Sequence, residues 1–337
     1  MLFGGYNITI KQARITIAVF VLCCTSVLVK YCADYKRLNK DDKSNVVAFS
    51  KKIQKFTFAG EVAPFDSPLI IKRYQKAISE NRKPSVSNLM MIKASKRWFP
   101  LMEPIIKKYK IPNDFKYIST AESKLTLAFS PKGAGGFWQM MPTTARSLGL
   151  EVNEEVDERF HPIKSTEVAC KLFRSTYKIF GDWTSVALAY NMGSTALYKA
   201  KRNQKLDNVH FIRSNKETER YFFLVMASKD LIENAPKYGY RIRSSGKVSE
   251  VKVLEVSESI PNLAKFAATH GSNSATLKSF NPWLRKNKLT IKPEFKTKKY
   301  QIILPLVHTT KPDELEEDFV QDTISKNTLP KDTTLVP

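Results

Sequence analysis

The chain is poor in cysteine, in histidine and in acid. Only four cysteines occur in 337 residues, and Cys23, Cys24 and Cys32 sit in or beside one apolar segment near the N-terminus. Cys170 stands alone in the remainder, which excludes an intramolecular disulfide framework for the folded part. The four histidines, His161, His210, His270 and His308, are scattered. No His/Cys cluster has metal-ligand spacing, so no metal or other cofactor is expected. Zinc-finger spacing, an RNP-like aromatic motif and a helix-turn-helix pattern are absent as well, which argues against nucleic acid as partner. Acidic residues number 32 against 55 Lys and Arg, a net charge of +23. Such an excess suits a membrane surface or an anionic polymer, or serves solubility alone. The hydrophobic fraction, 42%, is that of a globular protein and excludes wholesale disorder. The length predicts two folded units plus tails.

The N-terminus carries a targeting pattern. Lys11 and Arg14 precede the apolar run from Ile15 to Val29, and Lys30 follows. A basic flank and a run of this length define residues 1–33 as a signal peptide or signal anchor, hence export. No clean small-x-small cleavage site follows, which favours the anchor. Residues 34–64 are polar and lysine-rich and read as a linker.

From residue 65 to 243 the pattern is helical with short loops. Ser67-Pro68 starts a helix with Pro in the first position, and Ile71, Tyr74 and Ile78 form its stripe. Trp98, Leu101, Met102, Ile105, Ile106 and Tyr109 fall at helical spacing. A further helix begins at Ile111-Pro112, with Phe115, Ile118 and Leu125 on its buried side. Gly133, Gly135 and Gly136 mark a tight loop. Pro142 to Leu148 form a short helix stopped by Gly149, Ser165 caps the next, and Trp183–Asn191 and Glu217–Asn234 complete the set. After Arg243 the order becomes β-α-α-β over residues 248–308, a module near the lower size limit for an independent core. Residues 309–337 are acidic and polar and predict a disordered tail. The expected fold is mainly α: a helical domain followed by a small α+β module.

Within this frame Glu122 is a carboxylate at the end of an otherwise apolar helix, just before the glycine loop. Partial burial there would raise its pKa, as a general acid near neutral pH requires; the alternative is a solvated glutamate at a helix end. Its surroundings are ordered: Glu122-Ser123, Ala128, Ser130, then Gly133 through Pro142 ("GAGGFWQMMP"), Asp157-Glu158-Arg159, Ser165-Thr166, Phe180 to Trp183, Tyr190-Asn191-x-Gly193, and Glu217-Thr218-x-x-Tyr221. This set resembles the goose-lysozyme-like lytic transglycosylases, in particular their membrane-bound D type of Gram-negative bacteria. The upstream stretch "RWFPLMEPIIKKYKIPNDFKYISTAES" is similar to that group's lead-in to its catalytic glutamate. Each motif alone is weak, but together, in order and at the right spacings, they are specific.

The resemblance implies a lysozyme-like fold for residues 65–243 and Glu122 as the single catalytic acid and base. It implies that Ser130, Gln139, Tyr190 and Asn191 line the glycan cleft, that Met140 and Met141 lie beneath the sugar, and that Tyr221 is the downstream cleft tyrosine. Tyr190 is otherwise a core tyrosine with a satisfied hydroxyl. Trp138 and Trp183 are read as core rather than sugar platforms, and Asp157-Glu158-Arg159 as an ion pair or loop clamp. Two departures stand out: the Glu122–Ser130 segment is one residue shorter than the commonest family pattern, which bears on the placement of Ser130, and Phe137 replaces the usual Leu or Ile.

One carboxylate is too few for an ordinary retaining or inverting glycosidase. A lytic transglycosylase, as the resemblance implies, cleaves the MurNAc-GlcNAc bond of peptidoglycan with one, leaving 1,6-anhydro ends. The readings kept beside it are a hydrolytic muramidase and a catalytically idle wall-binding scaffold. Residues 248–308 resemble a LysM-type peptidoglycan-binding module through "LAKFAATHGSNSATLKSFNPWL" and "IILP", without the usual Gly-Asp-Thr-Leu turn; the alternative is a small domain packed on the helical one. The expected partner is the glycan strand, the expected location the periplasm, with membrane attachment if the N-terminal segment is uncleaved.

Overall fold

The computed structural model describes residues 57–82, 85–240 and 251–306. The N-terminal apolar run and the acidic tail lie outside the described residues. The described chain falls into two compact units, a small one holding residues 57 and 62–72 and a large one holding 58–61 and the chain from Arg73 onward. Two short strands, β1 (Thr57–Phe58) and β2 (Glu61–Val62), flank a turn at Ala59-Gly60. Helices α1 (Pro68–Arg82), α2 (Val86–Lys108) and α3 (Lys116–Ser123) follow. Next come α4 (Pro142–Ser147), α5 (Pro162–Phe180), α6 (Trp183–Met192), α7 (Ser194–Gln204) and α8 (Lys216–Glu233). The module comprises β3 (Val251–Val256), α9 (Leu263–Thr269), α10 (Ser274–Phe280) and β4 (Tyr300–Pro305). The mainly helical body and the β-α-α-β module are thus both present.

The large unit is built around α6, whose residues Thr184 to Ala189 are all buried. It packs against α5, α7 and α8. An aromatic cluster fills the space beside it: Phe115 stands 4.7 Å from Phe173, 5.2 Å from Trp183 and 5.3 Å from Phe58 between ring centroids. The edge-on and tilted pairs are arrangements that aromatic quadrupoles favour. Helix α6 begins on two carboxylates. Asp182 accepts from the Ser185 amide at 2.6 Å, and Glu61 accepts from the amides of Trp183 and Thr184 at 2.6 and 2.8 Å. Negative charge at this end complements the helix dipole.

Several boundaries differ from the sequence expectation. Residues 57–62 of the expected linker are ordered, and Glu61 is one of the caps just described. Helix α2 starts at Ser85-Val86 rather than near Trp98 and runs through Pro100 and Pro104. Its buried positions Trp98, Met102 and Ile106 recur one turn apart, so packing carries the helix across two missing amide donors. Ser165 is not a cap. His161 is: its Nδ1 accepts from the amides of Ile163 and Lys164 at 3.3 and 3.4 Å, Pro162 takes the first helical position, and Ser165 sits inside the helix donating to His161 O at 2.7 Å. Leu125 is buried but not helical, since α3 ends at Ser123.

In the module β3 and β4 pair antiparallel from Val251↔Pro305 to Val256↔Tyr300. Asn281, wholly buried, ties α10 to β4. Its Nδ2 donates to Leu277 O (2.8 Å) and Ile303 O (2.7 Å), and its Oδ1 accepts from the Ile303 amide (2.8 Å). The module core of Leu263, Ala267, Leu277, Trp283, Tyr300 and Ile302 is continuous with Val156 and Phe160 of the helical body. A unit too small for a comfortable core of its own is completed by its neighbour.

Candidate active site

Glu122 lies in the last turn of α3. The helix stops immediately after it, because Lys124 and Leu125 both take left-handed backbone angles (φ 50° and 57°). Non-glycine residues adopt this conformation at about 1–2 kcal/mol each. Ser123 stabilises the reversal: its hydroxyl accepts from the Leu125 amide at 3.0 Å and lies 2.9 Å from Ser119 O and 3.0 Å from Phe137 O. This side chain therefore ties the glutamate's helix to the glycine loop. Ser123 lies within the sequence motif, but its role rests on this three-dimensional arrangement rather than on any local pattern.

The Glu122 carboxylate is half-buried and accepts the Tyr221 hydroxyl at 2.6 Å. Burial pushes its pKa from 4.5 up to about 7; the Tyr221 bond works against that rise, and the nearby charge of Glu217 adds to it. Tyr221 and Tyr190 are both held well above the ordinary phenol value by burial and then by the negative charge of Glu122, with the hydrogen bond contributing at Tyr221. Both phenols therefore remain neutral donors.

The glycine loop faces this group across the Ser123 tie. Gly135 and Met140 exchange backbone hydrogen bonds at 3.0 and 3.1 Å, and Ser130 accepts from the Ala134 amide through its hydroxyl at 3.0 Å. Gln139, at φ 48°, donates its side-chain amide to Gly136 O (3.0 Å) and Ala128 O (3.2 Å). The loop is clamped by Arg159. Its guanidinium pairs with Asp157 at 2.8 and 2.9 Å and donates through Nη1 to Gly133 O (2.9 Å) and Met140 O (3.1 Å). The triplet 157–159 is thus both ion pair and clamp. Gly136 is required here: at φ 78°, a Cβ would stand 1.9 Å from Arg159 O.

The site residues expected from sequence divide as follows. Glu122, Tyr221 and Tyr190 come together. Ser130, Gln139 and Met140 lie on the loop beside them, with Met140 buried and Met141 the exposed member of the pair. The Tyr190 hydroxyl donates to Trp138 O at 2.7 Å, so its proton is already engaged. Asn191 accepts from the Thr218 hydroxyl at 3.4 Å through Oδ1. Trp138 is core, with its indole N–H on Thr166 Oγ1 at 3.0 Å. Among the described residues no group of His, Cys, Asp and Glu is placed to hold a metal ion.

The helical body thus holds a half-buried glutamate, bonded to the Tyr221 hydroxyl, at the end of the helix that Ser123 ties to the glycine loop. Residues 102–209 match the transglycosylase SLT domain family, and residues 252–307 match the soluble lytic transglycosylase C-terminal LysM-like domain. The two matches follow one another in that order along the chain. It is similar to membrane-bound lytic murein transglycosylase D of Escherichia coli K12, 27% identical over 238 residues, or 68% of this chain and 50% of the relative. It is also similar to a putative tributyltin chloride resistance protein of Alteromonas sp. strain M-1, 29% identical over 102 residues, or 30% of this chain and 49% of that protein. The chain thus spans about half the length of the curated relatives it matches.

Proposed function

We propose that the protein is a peptidoglycan lytic transglycosylase in which Glu122 acts first as acid and then as base. The observation that carries this reading is a single carboxylate, half-buried against the Tyr221 hydroxyl and opposite the clamped glycine loop, inside a domain of the transglycosylase family. Held near neutrality, Glu122 is protonated in a large fraction of molecules at physiological pH. It donates that proton to the glycosidic oxygen between N-acetylmuramic acid and N-acetylglucosamine as the bond breaks. The substrate's acetamido group supports the oxocarbenium-like centre. The Glu122 carboxylate then takes the proton of the muramic acid C6 hydroxyl, whose oxygen closes the 1,6-anhydro ring. No water is consumed, Glu122 ends protonated as it began, and the tethered nucleophile gains the proximity advantage of an intramolecular reaction.

Ser130, Gln139, Tyr190, Asn191 and Tyr221 are proposed to line the cleft. Since the Tyr190 and Ser130 hydroxyls already serve the fold, their part in the cleft includes shaping the loop. The net charge of +23 suits the acidic groups of the wall polymer. We place the protein in the Gram-negative periplasm, held to the membrane if its N-terminal segment is retained; among the described residues no helix is long and apolar enough to cross a membrane. Digestion of purified sacculi followed by mass spectrometry of the products tests the reaction. The expected products carry 1,6-anhydro ends and vanish in Glu122→Gln; ordinary reducing ends would replace the proposal with a hydrolytic muramidase, and wall binding without release would leave a scaffold.

A further inference from the structure

We propose that the C-terminal module is a brace for the cleft, fixing the glycine loop beside Glu122 through residues 155–159, with Lys298 and Arg285 as positioning residues. This rests on the reading that the glycine loop borders the cleft.

One side of the 155–159 stretch meets the module and the other meets the loop. Toward the module, the Asp157 amide donates to Trp283 O and the Arg285 amide donates to Glu155 O, both at 2.9 Å, on either side of a bridge between Val156 and Leu284. Toward the loop, Arg159 holds Gly133 O and Met140 O. A displacement of the module therefore moves a backbone segment that ends two residues before Arg159, the loop's clamp.

The charges make the module necessary. The side chains of Glu151 and Glu158 are only 3% exposed. A buried carboxylate is stable only beside a cation with its remaining lone pairs bonded. The cation is Lys298 of the module, whose ammonium lies 3.0 Å from Glu151 and 2.8 Å from Glu158, and the module's Tyr300 hydroxyl donates to Glu151 at 2.6 Å. Glu158 is the middle residue of the clamp triplet, so its neutralisation and the position of Arg159 are linked through one turn of chain.

Arg285 adds a second route. Its guanidinium lies 5.0 Å from the Phe160 ring centroid and 5.7 Å from that of Phe129. Phe129 sits within the loop itself, between Ala128, which accepts from Gln139, and Ser130, which accepts from Ala134. Arg159 lies 5.3 Å from the same ring, so Phe129 has cation–π contacts with one guanidinium from the clamp and one from the module.

The test is amide hydrogen exchange on the full chain in Lys298→Met, Arg285→Ala and Lys298→Arg, with turnover on soluble glycan strands. The expected result is exchange at least tenfold faster at Ala134, Gly135 and Met140 in the first two variants, with α8 amides unchanged. Turnover should fall about tenfold in kcat with KM within twofold, and Lys298→Arg should recover most of both. Loop exchange equal to wild type in Lys298→Met and Arg285→Ala overturns the brace. Equal acceleration of loop and α8 amides overturns it too, because that is general destabilisation. If Lys298→Met does not fold, the exposed Arg285 position decides alone. Glu122→Gln is the control: it should lose turnover and keep wild-type loop exchange. Retained turnover there would defeat the catalytic reading, while the exchange comparison would still decide the brace.

Discussion

Glu122 owes its proton affinity to dehydration, and the hydrogen bond from Tyr221 pulls the other way. Below its ordinary value of 4.5 the group is neutral whether the chain is folded or not. Above about 7 it is charged in both states, but in the fold without full solvation. Native stability is therefore penalised progressively as pH rises from 4.5 to 7, and the whole penalty remains above that. Glu122→Gln removes it. The variant should match wild type near pH 4 and exceed it by on the order of 1–3 kcal/mol at pH 8, as read by urea denaturation at the two pH values. Equal stability at both would mean that the carboxylate is solvated. Tyr221→Phe acts in the opposite sense on the same group. Loss of its donor favours the neutral carboxyl, so the alkaline limb of the pH–rate profile should move upward by about one unit. A downward shift would show that Tyr221 does not donate to Glu122 in solution.

At the scale of the element, the glycine loop divides its glycines into two kinds. Gly133 and Gly136 share left-handed angles, yet a Cβ at Gly133 meets nothing within 4 Å, whereas one at Gly136 meets the Arg159 backbone. Gly133→Ala should cost about 1 kcal/mol of conformational strain. Gly136→Ala should cost on the order of 3 kcal/mol or more, because neither backbone can yield without releasing the clamp. Comparison of the two midpoints in urea checks this; equal losses would mean that the close approach is absent. The motif made the loop legible, since its glycines, Phe137-Trp138 and Gln139 carry a local pattern. The triplet was legible as an ion pair or loop clamp, but not what it clamps, because Arg159 reaches carbonyls 26 and 19 residues away that have no side-chain signature. Local signals misled in two further places. Ser165 looks like a cap, but Pro162 had already started the helix and an imidazole nitrogen served in place of the usual oxygen. Leu125 fits the helical spacing of Phe115 and Ile118, but its apolar side chain is buried from a left-handed turn that periodicity does not encode.

For the whole molecule, the β-α-α-β order of the module was readable from its strands and short helices, and packing on the helical domain was one of its two readings, while the residues that dock it were not legible. Docking depends on Val156, Phe160 and Glu151, which lie in a loop and in the single 3-10 turn Glu158–Phe160, too short to show a period, and declare themselves only when Trp283, Lys298 and Tyr300 arrive. His161 belongs to the same junction. It is buried, stacked on Trp283 at 5.2 Å, and its Nε2 lies 3.0 Å from Gln301 O. With Nδ1 accepting two amides, the proton belongs on Nε2 and that nitrogen donates. Burial above all, then the charges of Lys164 and Lys298, lower its pKa to about 3 against the pull of the Gln301 carbonyl; His210, also buried, is lowered to about 4. The unfolded chain takes up both protons as pH falls through 6.5, and the native state takes them up only at those lower values, so stability is fully present above 6.5 and is lost progressively below it. Glu122 opposes this between pH 7 and 4.5, and for that reason the measurement belongs in the Glu122→Gln background. There the urea midpoint should fall steadily from pH 7 to 4.5, corresponding to a loss of unfolding free energy on the order of 2 kcal/mol or more for the two histidines together. The accompanying loss of the Trp283 and Gln301 contacts should appear as earlier exchange in β4 than in α6. A midpoint that stays level over this interval would mean that the His161 junction is open to solvent and the module is not held by it.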